Sequence, residues 1–340
     1  MNLPAIIQPR IAIVGEAWGD REEQHGTAFA GSNFFVLRGM LSQAGIDIAD
    51  CLATVVFQIN INGDNRKLFG TKADAIPFYR PLEPAKYVDK KHQPEIDRLY
   101  AELEAFAPTI IIALGNTALW ALCKRTGIKK YRGTPMLSHN GKWKVLPTWP
   151  ATTVMRQWKL RPIVLSDLTK ARREADFPDL RRPSRRIRIN PTLADIEAFY
   201  HEHIVPASAV SCDIETKGGT ITEVGYATSP YEAMVIPFFS RAVPSGNYWR
   251  TTREELEAWA WVRRINAEKP LLGQNFQYDM QYFWRTVGIP CPLFCDDTML
   301  MHHTLQPEME KGLGFLGSIY TDEPSWKFMR QDHSTLKAED

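Results

Sequence analysis

The chain has 340 residues, of which 44% are hydrophobic and 24% charged, with a formal net charge of +2. That length exceeds one ordinary domain and reads as two. No apolar run reaches the ~18 residues of a membrane span, and the first residues lack the apolar core of a secretory signal. The charge is too small to argue a nucleic-acid partner by itself. The five cysteines (Cys51, Cys123, Cys212, Cys291, Cys295) are scattered. Cys291 and Cys295 are the only close pair, and no second pair answers them. On spacing grounds they read as structural or surface thiols rather than a metal site, which fits a reduced cytosolic compartment.

The first half alternates strand and helix signals. A short apolar strand over 11–14 ends at Gly15. An amphipathic helix is predicted over 33–44, a strand over 52–61, and a Pro-, Gly- and charge-rich surface loop over 63–91. A helix over 93–106 is followed by a buried strand over 109–115, whose exit opens a helix over 116–124. A strand over 144–147 and a helix over 161–173 complete the pattern. Strands separated by helices imply a mainly parallel sheet covered on both faces. Residues 1–175 are therefore read as one domain.

Residues 176–192 are read as a linker, rich in proline and arginine. Arg172, Arg173, Arg181, Arg182, Arg185, Arg186 and Arg188 form a basic belt around it, either a solvated connection or a strip that contacts phosphates. Residues 193–340 are read as a second domain. A helix over 192–202 precedes a strand ending at Asp213. Strands over 220–227 and 233–239, a helix over 252–266, a short strand over 271–273 and helices over 278–286 and 297–304 follow.

Asp213-Ile214-Glu215 carries the most chemistry. Side chains alternate along a strand, so the two carboxylates share one face. Asp279, about sixty residues on, starts a predicted helix and can converge on them. Hard divalent cations need such oxygen clusters, and a pair of them can clamp a phosphodiester under attack by water.

Asp213-Ile214-Glu215, Asn275 through Asp279, and Asp297-Thr298-Met299-Leu300 resemble the first motif, the second motif and the downstream helix of the DEDD 3′–5′ exonuclease domain of family A DNA polymerases. The resemblance implies a ribonuclease H-like fold, a mixed sheet with flanking helices, and two Mg²⁺ (or Mn²⁺) ions. It implies that Asp213 bridges the metals, Glu215 binds one and orients the attacking water, and Asp279 serves the second, mostly through water. Asn275 and Tyr278 match the second motif and are expected to meet DNA. The family's third motif, Tyr-x-x-x-Asp or His-x-x-x-x-Asp, is not met: Pro324 stands four after Tyr320, and Ala338 five after His333. The segment 311–316 fits the stretch before that motif. Truncation just short of it is the expectation, with weak metal binding and poor nuclease activity from this chain.

In the first half, Gly15-Glu16-Ala17-Trp18-Gly19 is followed by Phe29-Ala30-Gly31. Glycines allow close approach of backbone to a ligand, and an aromatic supplies a stacking face. Then come 111–118 (Ile-Ile-Ala-Leu-Gly-Asn-Thr-Ala), Arg132-Gly133, Leu146-Pro147-Thr148-Trp149-Pro150-Ala151 and Asp167-Leu168-Thr169-Lys170-Ala171. In this order, over about residues 8–175, they resemble the uracil-DNA glycosylase superfamily, nearest its iron–sulfur family 4 and 5 branch. The resemblance implies a three-layer α/β/α fold and a base pocket involving Gly15, Glu16, Ala17, Trp18, Gly19, Phe29, Thr54 and Trp149. Phe29 would stack on an extruded base. Arg156 is taken as a DNA contact.

Several departures stand out. Trp149 replaces the family's histidine, and an indole cannot act as a cation near neutral pH. Trp18 replaces a proline, and Thr54 an asparagine. Gln58 and Glu95 fall near two of the expected cluster cysteines, so no iron–sulfur cluster is expected.

Together these readings imply the amino-terminal part of a bacteriophage-type DNA polymerase acting in replication and proofreading. Its partners would be single-stranded DNA or frayed 3′ ends and a downstream polymerase domain, with no membrane. The site would be the cytoplasm, the host's if the protein is phage-encoded. The glycosylase-like domain is expected to bind DNA or sense a base with weak or no activity. The alternatives are an active uracil-DNA glycosylase of base-excision repair and a non-catalytic DNA-binding module.

Overall fold

The computed structural model describes residues 9–31, 33–61, 63–293 and 295–323. They divide into two compact units. The first comprises the described residues up to Arg181 together with those from Gly314 onward, and the second runs from Arg182 to Leu313. Among the described residues no helix is long and apolar enough to cross a membrane.

The first unit is a three-layer α/β/α fold. Its strands are β1 (Ile11–Trp18), β2 (Leu52–Asn60), β5 (Ile110–Leu114), β6 (Met136–Leu137) and β7 (Lys144–Thr148), in the order β2-β1-β5-β7-β6. The central pairs are parallel and only β6 runs antiparallel. Alternation along β1 divides the core. Ala12 and Val14 face the helices α3 (Gln93–Phe106) and α4 (Gly115–Cys123), whereas Ile11 and Ile13 face α2 (Asn33–Gln43) and α7 (Arg161–Glu174). A fully buried Trp120 fills the first layer, a burial that contributes roughly 1.5–3 kcal/mol for each large apolar side chain.

Several elements depart from the sequence expectation. β1 does not stop at Gly15 but continues beside β2 to Trp18, with a register shift between Ala17 and Trp18. Such a shift re-aims side chains at a strand end. The 63–91 loop holds a two-stranded pair, β3 (Phe69–Gly70) and β4 (Tyr87–Val88). It is tied down by Trp120, whose Nε1 donates to the Arg80 carbonyl at 2.7 Å. Three short helices, α1 (Asp20–His25), α5 (Ile128–Tyr131) and α6 (Ala151–Arg156), were not evident from periodicity, because each is at most six residues long.

The second unit is built on a six-stranded mixed sheet. β9 (Val210–Lys217), β10 (Thr220–Ala227) and β11 (Glu232–Pro237) form an antiparallel meander, and β12 (Leu271–Gly273) and β13 (Cys295–Asp297) extend it in parallel from β9. The order β13-β12-β9-β10-β11 is that of a ribonuclease H-like fold. Part of the basic belt is a strand: β8 (Arg186–Arg188) adds in parallel to the β11 edge. Helices α8 (Leu193–Phe199), α9 (Thr252–Glu268), α10 (Gln277–Val287) and α11 (Thr298–Leu305) flank the sheet.

The last described helix, α12 (Leu313–Tyr320), groups with the first unit, although the sequence reading placed 193–340 in one domain. Burial explains the grouping. Lys170 Nζ donates to the carbonyls of Gly133, Ser318 and Thr321 at 2.8, 3.0 and 2.6 Å, and Arg132 Nη1 donates to Ser318 Oγ at 2.7 Å. Arg132 also makes a two-pronged pair with Asp167, and both are almost fully enclosed. Burial pushes the Asp167 carboxyl up, against the pull of the Arg132 guanidinium. His333, one of the two candidate starts of the third exonuclease motif, lies outside the described residues.

Candidate functional site: a base-sized cavity and an acidic strand face

A cavity of about 250 Å³ opens at the end of β1. Gly15, Glu16, Ala17, Trp18, Gly19 and Phe29, all proposed for the pocket from sequence, line it. Gly15 is closely approached: a Cβ there would stand 3.0 Å from the ring of Phe29 and 3.2 Å from Val55, so those side chains would have to give by a few tenths of an ångström. Phe29 has φ +59°, a conformation rare for an aromatic residue. Glu16 lies at the mouth, with its Oε1 accepting from Thr117 Oγ1 at 2.5 Å and from Asn65 Nδ2 at 3.3 Å.

Glu22 was missed by the sequence reading. Its Oε1 accepts the Gly31 N–H at 2.8 Å and its Oε2 the Gly19 N–H at 3.2 Å, which closes the pocket loop on itself. The available signal was an acid three residues into a helix that begins after Gly19, a capping position. α2 adds Phe34 and Asn33, and α6 adds Ala151 and Thr152.

Thr54 and Trp149 are not among the lining residues. Alternation turns Thr54 to the other side of β2, where its hydroxyl donates to Glu102 Oε2 at 2.6 Å, while its neighbour Val55 faces the cavity. Trp149 is half-buried, and the Arg132 guanidinium lies 5.3 Å from its ring centre. Arg156 is exposed at the end of α6. Glu95, one of the positions near an expected cluster ligand, accepts the Gln58 N–H at 2.8 Å and pairs with Arg98 at 3.2 Å.

In the second unit, Asp213 and Glu215 lie on the exposed face of β9, with Cys212 and Ile214 turned into the core. In register on β10 stand Gly225 opposite Asp213 and Glu223 opposite Glu215, so Glu223 is a further acid on this face, outside the exonuclease-like motifs of the sequence. Asp279, in the first turn of α10, is 3% exposed and its Oδ1 accepts the Ile214 N–H at 3.0 Å. Burial raises its pKa to about 6, the Ile214 bond opposes this, and the Asp213 charge adds to the rise. Asn275 is exposed with φ +57°, and Tyr278 OH is 2.9 Å from Thr216 Oγ1. Asp297 accepts the N–H groups of Asn275 and Phe276 at 3.0 and 2.8 Å, which fixes the second motif relative to β13.

Mg²⁺ or Mn²⁺ was expected at Asp213, Glu215 and Asp279. Among the described residues no group of three His, Cys, Asp or Glu could hold a metal ion. Asp279 faces the β9 backbone through the bond from the Ile214 N–H to its Oδ1.

Comparison with known proteins gives likenesses to solved structures, to a curated relative and to a family model. Solved structures similar to part of the chain include the Aedes aegypti Nibbler EXO domain, with 13% identity and TM-score 0.31 over 44% of this chain and 76% of that one. Another is the EXD2 exonuclease domain soaked in Mn and GMP, with 12% identity and TM-score 0.28 over 41% and 71%. A curated relative, the Type-4 uracil-DNA glycosylase of Thermotoga maritima, is 31% identical over 170 residues, covering 49% of this chain and 78% of the relative. The family model for the uracil DNA glycosylase superfamily matches residues 3–179, more than half of the chain. The chain belongs, through this first unit, to the uracil DNA glycosylase superfamily.

Proposed function

We propose that the protein acts on DNA, with the first unit lodging an extruded nucleobase in the cavity between Trp18 and Phe29 and releasing uracil slowly or not at all. The observation that carries this reading is the lining of the cavity: among the described residues it offers aromatic side chains and the Glu16 and Glu22 carboxylates but no basic side chain. Uracil leaves its sugar as an anion, which a protein must stabilise with donors or a cation. Trp149, at the position of the family's histidine, has its ring against Arg132 and cannot become an imidazolium. Uracil release from single-stranded DNA is expected to be at least about 100-fold slower than that of a Type-4 enzyme, the scale of one lost acid–base group. Equal rates would establish the repair reading instead.

The second unit supports a proofreading role, as the 3′–5′ exonuclease part of a polymerase whose polymerase domain is a separate segment. The Asp213 and Glu215 pair on one exposed strand face favours it. Because the family's third motif, which would supply a further metal ligand, is not met in this sequence, the chain is expected to degrade single-stranded DNA poorly with Mg²⁺ or Mn²⁺. Robust metal-dependent degradation that is lost in Asp213→Ala would overturn that expectation. Unchanged DNA binding with neither activity would favour a non-catalytic binding module. Iron is not expected in the purified protein, and its absorption spectrum tests this.

A further inference from the structure

Resting on the reading of the cavity as a nucleobase site, we propose that its preferred ligand is a cationic, ring-alkylated purine in DNA, and that the first unit releases this base by hydrolysis of its glycosidic bond. Three aromatic side chains, Trp18, Phe29 and Phe34, line the cavity together with two carboxylates, Glu16 and Glu22. No lining residue is Lys, Arg or His. Aromatic faces with nearby carboxylates attract cations through the ring quadrupole and by charge. The two carboxylates disfavour an anion by charge, and so they oppose the departure of uracil.

Alkylation of a purine at N7 places a positive charge on the ring. When the C1′–N9 bond breaks, both electrons go to N9 and the base departs neutral. No cation is needed to receive it, so the replacement of histidine by Trp149 ceases to be a handicap. C1′ is left as an oxocarbenium carbon, which the Glu16 carboxylate at the mouth of the cavity stabilises by charge. Water adds to C1′ and gives its proton to Glu16, which passes it to solvent. Thr117 and Asn65 hold the first oxygen of Glu16 in place for this role. Glu22 contributes a fixed negative charge whose two oxygens are each held by a backbone N–H.

The test uses the full chain and three single-stranded oligonucleotides, identical except for one N7-methylguanine, guanine or uracil. Released base is measured by chromatography, and binding by fluorescence anisotropy. The expected result is release of N7-methylguanine about 100-fold above buffer, lost in Glu16→Gln, with no comparable release of guanine or uracil. Trp18→Leu is expected to weaken binding of the methylated strand by about 5- to 30-fold, the scale of one cation–π contact. Methylguanine release no faster than in buffer, by wild-type protein that binds all three strands alike, overturns this inference and leaves the base-binding reading standing. Absence of binding to any of the strands overturns both.

Discussion

Phe29 lies against the bare Cα of Gly15, with its ring 3.0 Å from the place a Cβ would take. The absence of a side chain at residue 15 therefore leaves room for the Phe29 ring beside β1. Gly15→Ala is expected to push the ring outward, cost about 1–3 kcal/mol, and weaken oligonucleotide binding. Thermal melting and anisotropy on one protein preparation would check both effects. An unchanged melting point and unchanged affinity would contradict the role given to this contact.

Glu22 spans the loop between Gly19 and Gly31. Glu22→Ala leaves two N–H groups without their acceptor and is expected to cost about 1–3 kcal/mol for each that stays buried. Hydrogen exchange should rise first in residues 19–31. Uniform exchange across the first unit would instead show that the loop does not open on its own.

Asp279 has a folded pKa of about 6, above its ordinary value of 3.8. Between these values the folded state binds more protons than the unfolded state, so the group's contribution to stability falls as pH rises from about 4 to 6. Asp279→Asn removes the buried charge, and its amide oxygen can still accept the Ile214 N–H. The variant should melt like the wild type near pH 4 and above it near pH 8, with chelator present at both. A melting difference that does not change with pH would show that Asp279 titrates normally.

Lys170 holds the end of α12 through the carbonyls of Ser318 and Thr321, and the same ammonium also donates to the Gly133 carbonyl. Lys170→Met is expected to cost about 2–4 kcal/mol, because it leaves buried acceptors unpaired. Exchange should accelerate in Leu313–Tyr320. Gly133→Ala is expected to loosen the same contact, since Gly133 has φ +71° and a Cβ there would meet Asp167 Oδ1 at 2.6 Å and the Ser318 carbonyl at 3.0 Å. Retained protection of α12 in both variants would remove Lys170 and Gly133 from its anchoring.

What the sequence alone determined was local. Period-two alternation put Asp213 and Glu215 on one face, and the apolar runs marked β1, β5 and β9. The glycine-rich stretch 15–19 announced a pocket, and Phe29 was found with it. Tertiary structure decided the rest, because those features depend on residues far apart in the chain. Thr117 reaches Glu16 across 101 positions. Thr54 turns to Glu102, away from the cavity, because a hydrogen-bonding acid on α3 stands on that side of β2. Asp279 is drawn to the β9 backbone 65 positions away, which an Asp-x-Glu spacing cannot reveal. α12 joins the first unit because Lys170 and Arg132, well over a hundred residues earlier, supply buried donors that only the folded chain brings to it.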